Sequence, residues 1–261
     1  MENLIRDEPV STSAPARLVT IPISHYCEKA RWALDRAAIG YREERHIQIV
    51  HRVASRRAGG GGTVPVLVAS DGVFTQSAAI LAYADRHTEP GARLYPEDPE
   101  RRAEVVALER DFDAGLGPEG RRWMYFHILP ERDLGRAYNC TGVPAWERLA
   151  FPLLLGVMSG YIRHLLAIGP QTPVEARAAV QATFDAVAAR LGDDRRYLCG
   201  DAFTAADLAF AALAAPVLVP PQYGVTLPQP AELPPAMATA VQAFRAHPAG
   251  AFALRLFREE R

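Results

Sequence analysis

Apolar positions recur along this chain with two different periods, and the change of period divides it. Residues 17–23 form a short apolar run, long enough for a strand and too short for a helix. A helix is predicted to start at Tyr26 or Cys27. Helix formers run from 28 to 39, with Trp32, Leu34 and Ile39 among alanines and Gly40 at the expected C-terminal cap. In EERHIQIVH, Ile47 and Ile49 alternate with polar neighbours, which predicts a second strand. RVASRRAGGGG reads as a short helix dissolved by glycines. TVPVLVASDGVFTQS reads as strand, Ser-Asp-Gly turn, strand, and residues 77–87 return to helix. The order β-α-β-α-β-β-α predicts a small mixed sheet covered by helices.

Beyond residue 98 the period is helical throughout. Val105, Leu108, Phe112 and Leu116 recur at helical spacing, as do Val180, Phe184, Val187 and Leu191, and Met237, Val241 and Phe244 form a last stripe. The stretch 146–168 is apolar on most sides, which predicts a central helix buried on several faces. Residues 88–98 concentrate proline, glycine and charge, and PPQYGVTLPQPAELPP is a proline-rich loop. The expected layout is a mobile tail over 1–16, an α/β domain over 17–90, a linker over 91–98, and an all-helical domain over 99–261.

Composition narrows the function classes. The chain of 261 residues has 49% hydrophobic and 23% charged residues and a formal charge of −1. Such a balance gives no bulk attraction to nucleic acid or to an anionic membrane. LAFPLLLGVMSGYI is the most apolar run, and it is short and flanked by Arg148 and Arg163, so no membrane span is expected. Three dispersed cysteines, Cys27, Cys140 and Cys199, argue against a disulfide scaffold and fit a reducing, cytoplasmic setting. No metal-ligand spacing occurs, so no metal is expected. Lys29 is the only lysine among 29 basic residues, a mark of a GC-rich bacterial genome.

Candidate chemistry sits at the first strand-to-helix junction, SHYC. A helix N-terminus presents unpaired N–H groups and about half a positive charge, an environment that stabilises a thiolate, whether the protein's or a ligand's. Ser24 and Cys27 are both placed for such work, and both are equally readable as a cap and a packing residue. In TVPVL, a cis bond before Pro65 would turn the Val64 backbone N–H and C=O outward, ready to pair with an extended peptide. In FTQSAAILAYADRH, Gln76 and Ser77 stand before a helix start suited to a carboxylate, or serve only as caps.

Taken in order, SHYC, TVPVL and TQSAA resemble the cytosolic glutathione transferases from about Arg17 to the C-terminus. The resemblance implies a thioredoxin-like N-terminal domain followed by an all-helical one, of the serine/cysteine type. YLCGDAFTAADLAFAAL looks like the family's structural helix start in the second domain. There Thr204 is the N-cap, Asp207 closes a capping box, and Phe203 is placed to staple onto Leu208.

By resemblance, Ser24 would steady the glutathione thiolate, and Cys27 matches the resolving cysteine of redox relatives. Val64 would pair with the cysteinyl backbone, with Pro65 fixing the turn. Gln76 and Ser77 would hold the γ-glutamyl end, and His51 and Arg52 are the candidates for the glycyl carboxylate. AGGGG departs from the family's usual Asn-Pro turn, and His25 replaces the proline of redox relatives and is read as solvent-facing. The electrophile would lie between the domains, against Trp123, Tyr125, Phe126 and His127, which read equally as helix packing or a dimer contact. A homodimer working in detoxification, with glutathione as co-substrate, is the family habit. Two other functions compete: a thiol oxidoreductase using Cys27, and a non-catalytic module that binds a ligand or partner.

Overall fold

The computed structural model describes residues 15–192 and 195–261. Residues 1–14 of the expected tail lie outside the described residues, and Ala16, its last residue, opens the first strand. The first third runs β1 (Ala16–Thr20), α1 (His25–Arg36), β2 (Tyr41–Arg45), α2 (Val50–Arg57), β3 (Val66–Ala69), β4 (Gly72–Phe74), α3 (Ser77–Arg86). The strand order is β2-β1-β3-β4, with β1 parallel to β2 and antiparallel to β3. Side chains alternate across the sheet: Leu18 and Leu67 enter the main core with α1 and α3, while Val19 and Val66 face Ala58 beside α2. Burial on both faces explains why β1 reads as a continuous apolar run.

Three local expectations are corrected. The first strand ends at Thr20 rather than 23, because Ile21–Ile23 turn into α1. The second strand is Tyr41–Arg45, ahead of the predicted Ile47 and Ile49. Ile47 instead enters a separate cluster with Cys140, Phe151 and Met158, so its alternation served a tertiary contact rather than a sheet face. The cap expected at Gly40 is replaced by Ala37, with Ala38 taking the positive φ of 52°.

The remaining two-thirds are helical: α4 (Pro99–Ala114), α5 (Leu116–Ile128), α6 (Arg132–Asn139), α7 (Ala145–Leu165), α8 (Thr172–Arg190), α9 (Ala205–Leu218), α10 (Pro235–Ala246) and α11 (Pro248–Glu259). The chain is therefore a thioredoxin-like sheet followed by a helical bundle. All of α9 is buried, and α4, α5, α10 and α11 pack around it. The helix expected at the centre, 146–168, is peripheral. α7 turns Phe151, Met158 and Ile162 inward but leaves Leu149 75% and Leu153 85% exposed. Total hydrophobicity misled there, since alanine-rich α9, with small side chains, admits closer neighbours than a leucine-rich helix. The capping box at its start is present: the Asp207 carboxylate accepts from Thr204 N–H at 2.8 Å and Thr204 Oγ1 at 2.7 Å. Phe203 stacks on Trp32.

Buried charge ties α1 to the bundle. Lys29 Nζ meets Glu109 at 2.8 Å and Asp113 at 2.7 Å, both on α4. Near the C-terminus, the Glu260 carbonyl accepts from Trp32 Nε1 at 2.9 Å, and Arg261 pairs with Glu28 at 2.7 Å. The N-terminus of α1 is thereby fixed against the helical half.

Candidate functional site

The turn preceding α1 is held from three sides. Ser24 N–H donates to the Ile21 carbonyl at 3.1 Å, Arg31 Nη2 to the Pro22 carbonyl at 3.1 Å, and the Tyr223 hydroxyl to the Ile23 carbonyl at 3.0 Å. Ser24 is the N-cap of α1, its Oγ accepting from Cys27 N–H at 3.4 Å. It is part-exposed and faces a cavity of about 200 Å³ between the sheet and the helices. Cys27 is fully buried, and burial pushes its thiol up to about 11, so it stays protonated near neutrality.

His25 is not solvent-facing as expected. It is 1% exposed, and its imidazole, lowered to about 3 by burial and then by the Arg121 charge, is neutral. Tyr26, which sequence reasoning passed over, also lines the cavity. Its hydroxyl donates to the Asp113 carbonyl at 2.8 Å, and burial raises it to about 12.

The loop that carries Gln48 and leads into α2, with His51 and Arg52 in its first turn, is shaped by an unusual residue. Ile49 has φ of 72°, a costly conformation for a β-branched side chain. Glu147, buried on α7, holds the loop from the far side, its carboxylate meeting His46 Nδ1 at 2.6 Å and Ile47 N–H at 2.8 Å. The loop and the first turn of α2 bring Gln48, His51 and Arg52 to the cavity. Arg52 Nη1 donates to the Tyr161 hydroxyl at 2.6 Å, while burial and the Arg52 charge lower His51 to about 4. Gln48 Nε2 donates to the Tyr125 hydroxyl at 2.7 Å and to Asn139.

A second cavity of about 210 Å³ adjoins the first, sharing Tyr26, Thr63 and Val64, and is closed by Pro65, Gln76, Ser77 and Asp113. The Val64–Pro65 bond is cis. The helix start differs slightly from the sequence reading. Gln76 is the N-cap of α3 without a capping side-chain bond, and Ser77 is the first helical residue. Asp113 Oδ2 pairs with Lys29, while Oδ1 has no partner.

Of the eight buried side-chain polar atoms without a hydrogen-bond partner among the described residues, five belong to these two cavities. They are His25 Nε2, Gln48 Oε1, His51 Nδ1, Asp113 Oδ1 and Arg121 Nε. Unpartnered buried polar groups are uncommon in folded proteins, and here they gather in the residues that line the two joined cavities.

The aromatic cluster predicted for the second substrate divides. Tyr125 lines the first cavity, but Trp123 and His127 line a different depression beside Pro173 and Arg177. Trp123 packs edge-on to Phe244, and Phe126 packs on His127. One α5 face therefore supplies Arg121, Met124 and Tyr125, and the others point away; only the helical phase, unreadable to within a residue, distinguishes them. Tyr161, Ile162, Leu165 and Leu166 complete the wall from α7 and its end. Among the described residues, no helix is long and apolar enough to cross a membrane, and no three His, Cys, Asp or Glu are grouped to hold a metal.

A thioredoxin-like sheet with a serine capping its first helix, a cis proline just before β3 and a helical bundle beside it define the two-domain class to which the fold belongs. Residues 18–92 match the model of the glutathione S-transferase N-terminal domain, and residues 143–245 match that of the glutathione S-transferase C-terminal domain. The chain belongs to the glutathione S-transferase family. Comparison with curated proteins gave no match. Among solved structures, it resembles glutathione transferase GSTFuA3 from Phanerochaete chrysosporium at 17% identity and TM-score 0.62, covering 95% of this chain and 97% of that one. A glutathione S-transferase from Rhodospirillum rubrum aligns at 22% identity and TM-score 0.53, over 94% and 99% of the two chains. One from Methylobacillus flagellatus, with glutathione bound, aligns at 16% and 0.53, over 91% and 98%.

Proposed function

We propose that this protein binds glutathione across the two joined cavities and uses Ser24 to hold its sulfur as a thiolate for attack on a small electrophile. The carrying observation is that Ser24, at the N-terminus of α1, opens on the same cavity as Val64, and that Val64 also borders the Ser77 cavity. In this reading Val64 pairs with the cysteinyl backbone beside Pro65. Gln76, Ser77 and the α3 N-terminus take the γ-glutamyl carboxylate, and the free Asp113 oxygen takes its ammonium. His51 and Arg52 take the glycyl carboxylate.

The Ser24 O–H and the α1 N-terminus stabilise the sulfur anion, the thiol proton having passed to solvent. A hydrogen bond to an anion is worth about 1.5–3 kcal/mol, or about one to two pKa units on the bound thiol. The thiolate attacks the electrophilic carbon. A carbon–sulfur bond forms as the bond to the leaving group breaks, and the leaving group departs with the electron pair. Tyr26 is the other hydroxyl at hand, but its proton is committed to the Asp113 carbonyl.

The oxidoreductase reading is disfavoured by the Cys27 thiol, which is fully buried and kept protonated by that burial. A homodimer in the cytoplasm belongs to the same proposal. Retention on immobilised glutathione and turnover of 1-chloro-2,4-dinitrobenzene, lost in Ser24→Ala, support it. Turnover that survives Ser24→Ala and vanishes in Cys27→Ala would transfer the chemistry to Cys27, and no glutathione binding at all would leave a non-catalytic module.

A further inference from the structure

Arg121 and Arg122 are neighbours on α5 with opposite surroundings. Arg122 pairs with Glu119 at 2.9 Å and donates to the Leu166 carbonyl at 3.1 Å. Arg121 points to the cavity shared with Ser24, where among the described residues it has no ion-pair partner, and its buried Nε has no acceptor. No aspartate or glutamate lines that cavity. The second guanidinium on the wall, Arg52, is engaged by the Tyr161 hydroxyl. Elsewhere the arginines drawn inside are paired: Arg31 meets Glu28 at 3.2 Å and Glu43 at 2.8 Å.

Arg121 is part-exposed and borders the cleft without a counter-charge, so an anion placed in the cavity would gain a charge-assisted, bidentate partner there. Glutathione brings two carboxylates, but the reading above places both on the sheet side, at Ser77 and at His51–Arg52. Arg121 stands across the cleft on the helical side, beside Met124, Ile162, Leu165 and Leu166, where the electrophile would lie. Those four side chains make the wall apolar on that side, while His25, Tyr26 and Tyr125 border the same cavity with polar groups. Resting on that reading of the cleft, we infer that the second substrate is an amphipathic anion, with an apolar or aryl body and a carboxylate that pairs with Arg121. This narrows the substrate from any small apolar electrophile to acids, and makes Arg121 the residue that selects them.

The test compares 4-chloro-3,5-dinitrobenzoate with its neutral amide, near-isosteric electrophiles from which glutathione displaces chloride. Each kcat/KM is divided by that electrophile's uncatalysed rate with glutathione, since the amide is intrinsically the more reactive. On that scale wild-type protein is expected to favour the acid by about tenfold, a typical worth for one partly desolvated charge pair. Arg121→Met is expected to bring the ratio to about one, and Arg121→Lys to keep part of it. Calorimetric titration with the unreactive 3,5-dinitrobenzoate and 3,5-dinitrobenzamide, in the presence of glutathione, reads the same preference without turnover. If neither electrophile reacts, the transferase reading fails, yet this titration still decides the role of Arg121. Equal binding of acid and amide by wild-type protein would overturn the inference, as would a preference that persists in Arg121→Met. A glutathione affinity that falls tenfold in Arg121→Met would also overturn it, by assigning Arg121 to the tripeptide.

Discussion

The Glu147 carboxylate accepts the Ile47 backbone N–H at 2.8 Å, joining α7 to the loop that carries Gln48 and leads to His51 and Arg52 on α2, across a sequence separation of 100. Its second oxygen meets His46. A buried side chain thus holds a loop whose Ile49 adopts a costly φ. Glu147→Ala would leave a buried N–H unpaired and is expected to destabilise the protein by about 2 kcal/mol. It would also raise the KM for glutathione more than it lowers kcat, because the loop positions a binding end rather than the sulfur. Glu147→Gln, which can still accept from Ile47, restores most of both. Urea unfolding and steady-state kinetics check this pair.

Ser24 and Cys27 should separate cleanly. Ser24→Ala removes a bond made to the thiolate and is expected to lower kcat about tenfold to a hundredfold with little change in glutathione affinity. The sign of the accompanying pH shift follows: the bound thiol loses a stabiliser of its anion, so the rising limb of the rate profile moves to higher pH by about one to two units. Loss of the α1 cap also costs about 1 kcal/mol of stability. Cys27→Ala, at a buried and protonated thiol, leaves turnover within about threefold while lowering stability by about 1 kcal/mol for the small void. A thiolate absorbance titration of glutathione on each protein reads the shift directly.

His25 makes stability depend on pH. Its folded value, about 3, lies below the ordinary 6.5, and His51 is lowered to about 4. As pH falls through 6.5, the unfolded chain takes up protons that the folded one refuses, so stability is lost downward from about 6.5 until the folded values are reached. Each imidazole contributes up to about 1.4 kcal/mol per pH unit over that window. His25→Gln is expected to halve the loss between pH 7 and pH 5, measured by urea midpoints. A loss that is unchanged in the variant would mean that the folded imidazole titrates normally.

Much of this was legible in the sequence because local chemistry carried it. The Thr204–Asp207 box, the Val66–Phe74 hairpin and the first helix, expected from Tyr26 or Cys27 and found from His25 with Ser24 as its cap, each depend on residues within a few positions. What escaped depends on contacts far apart in sequence. Ile47 and Ile49 had the alternation of a strand, but α7 claims Ile47 and the loop claims Ile49. The 146–168 stretch had the hydrophobicity of a central helix, but the alanines of α9 pack more closely. Trp123 and Tyr125 are two positions apart, and on a helix that is enough to put one in the core and the other on the cavity. Arg121, Tyr161 and Asp113 had no motif to announce them; their significance is the lack of a partner, or the choice of one, which only the fold reveals.

Asp113 offers the sharpest check on the orientation of glutathione. One of its oxygens serves Lys29 and the other has no partner, and the residue lines the same cavity as Ser77. If the γ-glutamyl ammonium sits there, Asp113→Asn should weaken glutathione about tenfold, since a neutral amide replaces one half of an ion pair. Lys29 keeps Glu109 at 2.8 Å, so the fold survives the change. A glutathione analogue lacking the α-amino group isolates the interaction. It should bind wild-type protein about as weakly as glutathione binds the variant, and Asp113→Asn should weaken it no further, because the two changes remove the same contact. Additive losses in such a calorimetric cycle would place the ammonium elsewhere and reverse the tripeptide along the cleft.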